Sequence, residues 1–302
     1  MKLKVITSYR PGTWNKYADR CVRSIVECWP EGISVNVYHE GPCEESKIFH
    51  PIINWIDLHQ VQPELVSFKN RHKNDPIACG ELQEITGGVK RPAEFEGNDK
   101  NKGSFLFDAV RFANKVFCVT HSIKTSVGNE YDYVIWLDAD TYTFRTIPKD
   151  FIESLFPSNS MLTYLGRENP AKNDGGKYPE CGFVGYNLRH PQIKNFANDW
   201  EKLYITDSVF KLNEWHDSYV FWHLSKIYKQ KHNIKVNDIG YCKGVKGHHV
   251  FINSELGLYI DHFKGKRKNI GSSAKNDLRG SKSSTDVSQL DYWKSTPESW
   301  RE

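Results

Sequence analysis

Along the first half of the chain, short apolar runs alternate with stretches of helical period. Residues 3–7 (LKVIT) are the first run and read as a strand. Pro11 and Gly12 punctuate a loop over 8–13. Trp14, Tyr17, Cys21, Ile25 and Cys28 recur at helical spacing, which predicts a helix over 14–28, stopped by Pro30 and Gly32. Residues 33–38 read as a second strand, so the chain opens on a β-α-β unit and predicts a parallel sheet. Over 41–103 the period is lost. Pro76, Gly80, Gly87, Gly88, Pro92 and Gly97 break this stretch into short pieces, as in a long excursion that covers a site. Phe105, Ala109, Phe112 and Val116 restore helical spacing over 105–125, with Arg111 and Lys115 on another face. Residues 133–137 (YVIWL) are an unbroken apolar run, the pattern of a strand buried on both faces.

Beyond that strand, 161–165 and 183–187 read as strands and 196–204 and 218–228 as helices. Residues 250–252 and 258–263 read as late strands, and 264–284 are basic and rich in Ser and Gly. No repeat or clean linker divides the chain. Its 302 residues therefore predict a single α/β domain over 1–302, Rossmann-like, with a mixed, mostly parallel central sheet flanked by helices.

The aromatic fraction of 13% supplies a core and also stacking surfaces for sugar rings or bases. A net charge of +4 is too mild to mark a nucleic-acid binder and does not oppose an anionic ligand. The cysteines are Cys21, Cys28, Cys43, Cys79, Cys118, Cys181 and Cys242, odd in number and without a C-x-x-C pair, so reduced thiols and a cytoplasmic location are expected. The opening residues lack the apolar stretch of a signal peptide, and no apolar run approaches the roughly 20 residues of a membrane span.

The run 133–137 ends in Asp138-Ala139-Asp140. Two carboxylates at the exit of a buried strand repel unless a cation sits between them, and hard oxygen ligands suit Mg²⁺ or Mn²⁺. Such an ion can hold a diphosphate and take up its charge as it leaves. About one D-x-D arises by chance at this Asp frequency, so the weight lies in its position. A second constellation, His262, Gly265 and Lys268 in H-x-x-G-x-x-K spacing, follows a late apolar run. An imidazole can join two carboxylates around Mn²⁺, Gly265 allows close approach to a phosphate, and Lys268 offers it a point charge. The competing reading is a His at the edge of the core beside a solvated basic loop. Trp215-His216-Asp217-Ser218 places a carboxylate beside an indole at a helix start, either a sugar-binding pair or a plain helix cap. The adjacent His248 and His249 would point to opposite faces of a strand and so cannot readily share an ion.

Together these stretches resemble the glycogenin-like, family 8 glycosyltransferases. The resemblance implies a single GT-A type domain, a nucleotide-sugar donor (usually a UDP-sugar), Mn²⁺ (or Mg²⁺), and retention at the anomeric carbon. It implies that Asp138, Asp140 and His262 ligate the metal and that Gly265 and Lys268 hold the diphosphate. It also implies a nucleotide-binding half over 1–145 and an acceptor-binding half over 146–302. Thr7 and Tyr17 resemble the first loop that cradles the base, with Tyr17 stacked on it; Tyr17 on a helix's core face is the alternative. Arg111 matches the family's basic residue on the helix before the D-x-D strand, and Asp217 the acid beside the transferred sugar. The chain departs from the pattern where Asn269-Ile270 replace Pro-Trp, Cys181 replaces an Asn, and Ser218 replaces a Gln.

The acceptor is left open among a glycan, a protein and a modified nucleic acid. Two rival classes are weighed. A metal-dependent phosphohydrolase or nuclease needs more carboxylates around two metals than the one acidic pair visible. A nucleic-acid-binding protein would use the basic run Lys264, Lys266, Arg267, Lys268, Lys275, Arg279 and Lys282.

Overall fold

The computed structural model describes residues 1–43, 48–81, 104–167, 178–240, 249–265, 267–271 and 273. Much of the excursion read over 41–103, together with Cys242, His248, Lys266, Lys275, Arg279 and Lys282, lies outside the described residues.

A seven-stranded sheet forms the centre. Its strands are β1 (Leu3–Tyr9), β2 (Ser34–His39), β3 (Ile53–Asp57), β4 (Tyr133–Leu137), β6 (Leu162–Leu165), β7 (Glu180–Asn187) and β8 (Val236–Asp238), in the order β3-β2-β1-β4-β7-β6-β8. All run the same way except β7, which is antiparallel to β4 and β6. This is the expected α/β domain with a mixed, mostly parallel sheet. A separate ribbon pairs β5 (Thr141–Thr143) with β9 (Ile260–His262).

The period of two on the strands feeds two cores. Leu3 and Val5 of β1, with Tyr133, Ile135 and Leu137 of β4, face α1 (Ala18–Cys28). Ile6, Val134 and Trp136 face the opposite way, toward α4 (Ala109–Ser126), α6 (Ile193–Ile205) and α7 (Asp217–His232). Between β3 and α4 lie α2 (Leu58–Val61) and α3 (Pro63–His72), and α5 (Lys149–Ser154) follows β5. The last helix, α8 (Arg267–Ile270), is a single turn.

The helix expected over 14–28 breaks at Tyr17, where φ is −161° and a 3-10 turn (Trp14–Lys16) gives way to α1. The strand expected over 250–252 is instead a buried turn. Phe251 and Ile252 are fully buried, and the carbonyl of Ile252 approaches Gly257 so closely that a Cβ there would meet it at 2.1 Å. An apolar run satisfies a buried turn as well as a strand. β3, β5, β8 and α5 escape the sequence reading because each is six residues or fewer. The six described cysteines are free thiols, and no helix among the described residues is long and apolar enough to cross a membrane.

Gly185 sits mid-strand on β7, opposite Ile135 of β4. A Cβ added there would lie 2.3 Å from Cε1 of Phe156, a buried ring. Gly185→Ala is therefore expected to destabilise the fold by about 1–3 kcal/mol through overpacking. The denaturant midpoint should fall with an unchanged m-value. An unshifted midpoint would contradict this packing.

Candidate functional site

Strand order reverses between β1 and β4. The chain leaves β1 toward β2 and leaves β4 toward the other half of the sheet, and a crevice opens beyond the carboxyl ends of the two strands. A cleft of about 610 Å³ occupies this place, within the range of small-molecule sites. Six of the residues singled out from the sequence line it: Tyr17, Arg111, Asp138, Asp140, Asp217 and Lys268.

His262, buried and not itself part of the cleft lining, comes from far along the chain to stand beside the acidic pair. The β5–β9 ribbon pairs Thr141 with His262, which sets the imidazole beside the acidic pair. Its Nε2 lies 3.1 Å from Asp140 Oδ1 and 3.5 Å from Asp138 Oδ2. The opposite oxygen of each acid is already held. Asp138 Oδ1 accepts from Lys115 Nζ at 2.9 Å and Trp136 Nε1 at 2.6 Å, and Asp140 Oδ2 pairs with Lys268 Nζ at 2.9 Å. The other oxygen of each carboxylate, Asp138 Oδ2 and Asp140 Oδ1, faces the His262 Nε2. Burial opposes ionisation of Asp140, but the His262 ring and the Lys268 ammonium hold its carboxyl below the usual range.

A second grouping shares two of these residues. Asp138, Glu180 and His262 each present a ligand atom within 4.8 Å of the others, a possible metal-binding triad. Glu180, at the start of β7, was not singled out from the sequence. It faces the other ring nitrogen, with Oε1 3.7 Å from His262 Nδ1. The two nitrogens of an imidazole point apart, so one ion takes only one of them. Glu180 is also already neutralised by Arg167 and by Lys264, whose Nζ lies 2.5 Å from Oε1. Burial raises its carboxyl; Lys264, Arg167 and His262 outweigh that and hold it well below the ordinary range. Glu180 stands on the Nδ1 side of the ring, opposite Asp138 and Asp140. Gly182 makes room for that ring, since a Cβ would lie 2.5 Å from His262 Cε1.

Lys115, which the sequence pattern put on a polar helix face, is buried at the centre of the site. Besides Asp138 it donates to Asp217 Oδ2 at 2.7 Å and to the Cys181 carbonyl at 2.5 Å. Burial lowers its affinity for a proton, but Asp138 and Asp217 more than restore it, so its ammonium is held well above the ordinary range. The same contact, against the cost of burial, holds the Asp217 carboxyl below its usual range. Asp217 is the first residue of α7; the cap position is His216, with no side-chain cap bond, so the plain-cap reading does not describe it. Trp215 is not on the cleft. Its indole is buried against Phe107 and Phe210 and donates to the Leu212 carbonyl. His216 pairs with Glu214 at 2.8 Å.

Gly265 adopts a positive φ of +59° in the turn after β9, and its carbonyl accepts from the Lys268 amide. Arg20 lies over the Tyr142 and Phe263 rings, and Ser273 bonds to Asp261, so the segment is tied down at both ends. Lys268 Nζ stands 4.8 Å over the Tyr17 ring. Thr7, by contrast, is buried away from the cleft lining, and its hydroxyl has no hydrogen-bond partner among the described residues; Ser8 lines the cleft in its place. Arg111 is exposed on the first turn of α4. His249 is buried, with Nε2 2.9 Å from the His262 carbonyl, a structural role. No protein-family model matches the chain, and no characterised protein matches its sequence.

Asp140, Asp217 and Glu180, with depressed folded values, each contribute stability present above about pH 4, the unfolded carboxyl value, and lost as pH falls through the folded one. Lys115, with a raised folded value, contributes stability present below about pH 10.4 and lost as pH rises past it. At pH 7 both are in force. Lys115→Met leaves two acids without their cation and should cost about 3 kcal/mol, the lower end for a broken buried pair because Asp138 stays one-quarter exposed. Adding Asp217→Asn should recover about 1 kcal/mol through their coupling, and the deficit of Lys115→Met should shrink below pH 4. Chemical denaturation at pH 7 and pH 3 checks both. Additive losses, or a deficit independent of pH, would contradict the pairing.

Proposed function

We propose that this chain is a metal-dependent glycosyltransferase of GT-A type, resembling the glycogenin-like family 8 enzymes. Its donor is a nucleotide sugar, in the first instance a UDP-sugar. The observation that carries the reading is the approach of Asp138 Oδ2 and Asp140 Oδ1 to His262 Nε2, with both acids lining a cleft at the strand-order reversal. Two oxygens and one nitrogen suit Mn²⁺, with Mg²⁺ the alternative. Such an ion, when bound, neutralises the diphosphate of the donor.

The chain's own groups do the rest. Lys268 pairs with Asp140 and is placed to pass to the donor's phosphates. Arg111, Arg10 and Lys16 line the same cleft and have no ion pair among the described residues, so they add positive potential for an anionic donor. Asp217 is fixed by Lys115 rather than free to swing. A carboxyl held below its usual range is a weak proton acceptor near neutral pH. Its role is then to orient the donor sugar and stabilise positive charge at the anomeric carbon, which fits retention better than inversion. The acceptor supplies a hydroxyl; a glycan, a protein and a modified nucleic acid each offer one. The free thiols support a reducing compartment, the cytoplasm. The rival readings lose ground here. Glu180 adds a third carboxylate, but two cations already cover it. In the basic run, Lys264 and Lys268 are turned inward onto Glu180 and Asp140.

A panel of nucleotide sugars incubated with Mn²⁺ should reveal slow release of free nucleotide, which requires no knowledge of the acceptor. Asp138→Asn and Asp140→Asn should abolish it, as should a chelator. Undiminished release by both variants in EDTA would end the metal reading.

Asp217→Asn separates turnover from binding. It should lower turnover at saturating donor by about 10²-fold or more, with little change in donor affinity, because charge stabilisation near the reacting carbon acts on the transition state. A variant within about threefold of wild type would remove Asp217 from the chemistry.

A further inference from the structure

The cleft continues from the acidic pair along the ends of the parallel strands. β4, β1 and β2 are successive neighbours, so the end of β2 lies about 10 Å from the end of β4, two strand spacings away. Glu40 follows directly on β2, and its amide donates to the Tyr9 carbonyl at 2.9 Å, which holds it beside the end of β1. Its side chain lines the cleft. Both carboxylate oxygens are fixed in place. Oε1 accepts the Ser8 hydroxyl at 2.6 Å, and Oε2 accepts the Asn114 amide at 2.9 Å. Asn114 is itself held through its Oδ1 by Lys69 Nζ at 3.1 Å.

A carboxylate has about four lone-pair sites, so one donor on each oxygen leaves acceptor capacity on both. No cation among the described residues forms an ion pair with Glu40. Burial pushes its carboxyl up, opposed by the Ser8 hydroxyl and the more distant charges of Lys69, Arg10 and Arg111. A carboxylate held in a ligand cleft with acceptor capacity left on both oxygens can take a further donor, and the metal-side chemistry makes no use of it.

We propose that Glu40 reads the base of the donor nucleotide, accepting the ring N–H at the centre of its Watson–Crick edge, and so selects uridine and guanosine diphosphates over cytidine and adenosine diphosphates. This rests on the nucleotide-sugar reading of the cleft. With the diphosphate at the acidic pair, the run from β4 across β1 to β2 leads outward along the nucleotide toward its base. Uracil offers N3–H at the centre of that edge, and guanine offers N1–H beside its amino group. Cytosine N3 and adenine N1 are bare acceptors at the same place. Set against a fixed carboxylate, they would leave two acceptors facing each other, and that mismatch is what discriminates.

The test is calorimetric titration of the full chain with UDP, GDP, CDP, ADP and 2′-deoxy-UDP in the presence of Mn²⁺. Wild type should bind UDP or GDP at least about tenfold tighter than CDP and ADP, the size expected of one unsatisfied buried acceptor. Glu40→Gln, and Glu40→Asp as a second variant with a shorter reach, should bring the ribonucleotides within about threefold of one another. If Glu40 only ties β1 and β2 to α4, every nucleotide weakens by the same factor and the base preference survives, which overturns the inference. Loss of the ribose-over-deoxyribose preference with the base preference intact would also overturn it, by moving Glu40 to the sugar. A wild-type preference for CDP or ADP, or none, overturns it without any variant and leaves the donor reading standing. Failure of all five nucleotides to bind removes the donor reading and this inference together.

Discussion

The Lys115 ammonium holds the site together. Three carboxylates, Asp138, Asp140 and Asp217, meet at one end of the sheet in largely buried positions. Gathering like charges at low solvent exposure is unfavourable unless cations come with them. Lys115 lies between two of these acids, Lys268 takes the third, and Lys264 with Arg167 covers Glu180 just behind. The helix α4 is thereby drawn to β4 and to the start of α7 by a charge contact as well as by its apolar face. Asp217 owes its placement to this contact rather than to any capping role.

A second constraint is the short ribbon of β5 and β9. Three residue pairs suffice to bring His262 to the acidic pair across more than a hundred residues of chain. The ribbon in turn needs Gly182, whose missing side chain leaves the space the imidazole fills. Arg20, lying over Tyr142 and Phe263, and Ser273, bound to Asp261, fix the following turn so that Lys268 arrives over the cleft. Folding and site assembly are therefore coupled. Lys115 and Lys268 satisfy the acids that this assembly gathers.

Some of this was legible in the sequence because it is local. The run 133–137 is buried on both faces and ends where its apolar character ends, so β4 and the acidic pair follow from a window of about ten residues. The first β-α-β unit is legible for the same reason. Lys115 was not, because a helical period separates apolar from charged positions and cannot tell a solvated lysine from one whose partners, Asp138 and Asp217, lie 23 and 102 residues away. Glu180 was missed likewise. The apolar run of its strand begins later, and only Lys264 and Arg167 make a buried glutamate tolerable at the strand's start. Trp215 misled in the opposite sense. An indole beside an acid suggests a sugar platform, whereas Phe107 and Phe210 claim it for the core.

On the function proposed above, the acidic pair and His262 together hold a divalent cation. Electron paramagnetic resonance of Mn²⁺ titrated into the protein tests this without donor, acceptor or turnover. The free Mn²⁺ signal should be quenched in proportion to added protein. His262→Ala should restore most of it, while Glu180→Gln should leave the quenching largely in place, because that residue stands behind the ring. A free Mn²⁺ signal that wild-type protein leaves untouched, or that both variants quench as wild type does, would contradict the account.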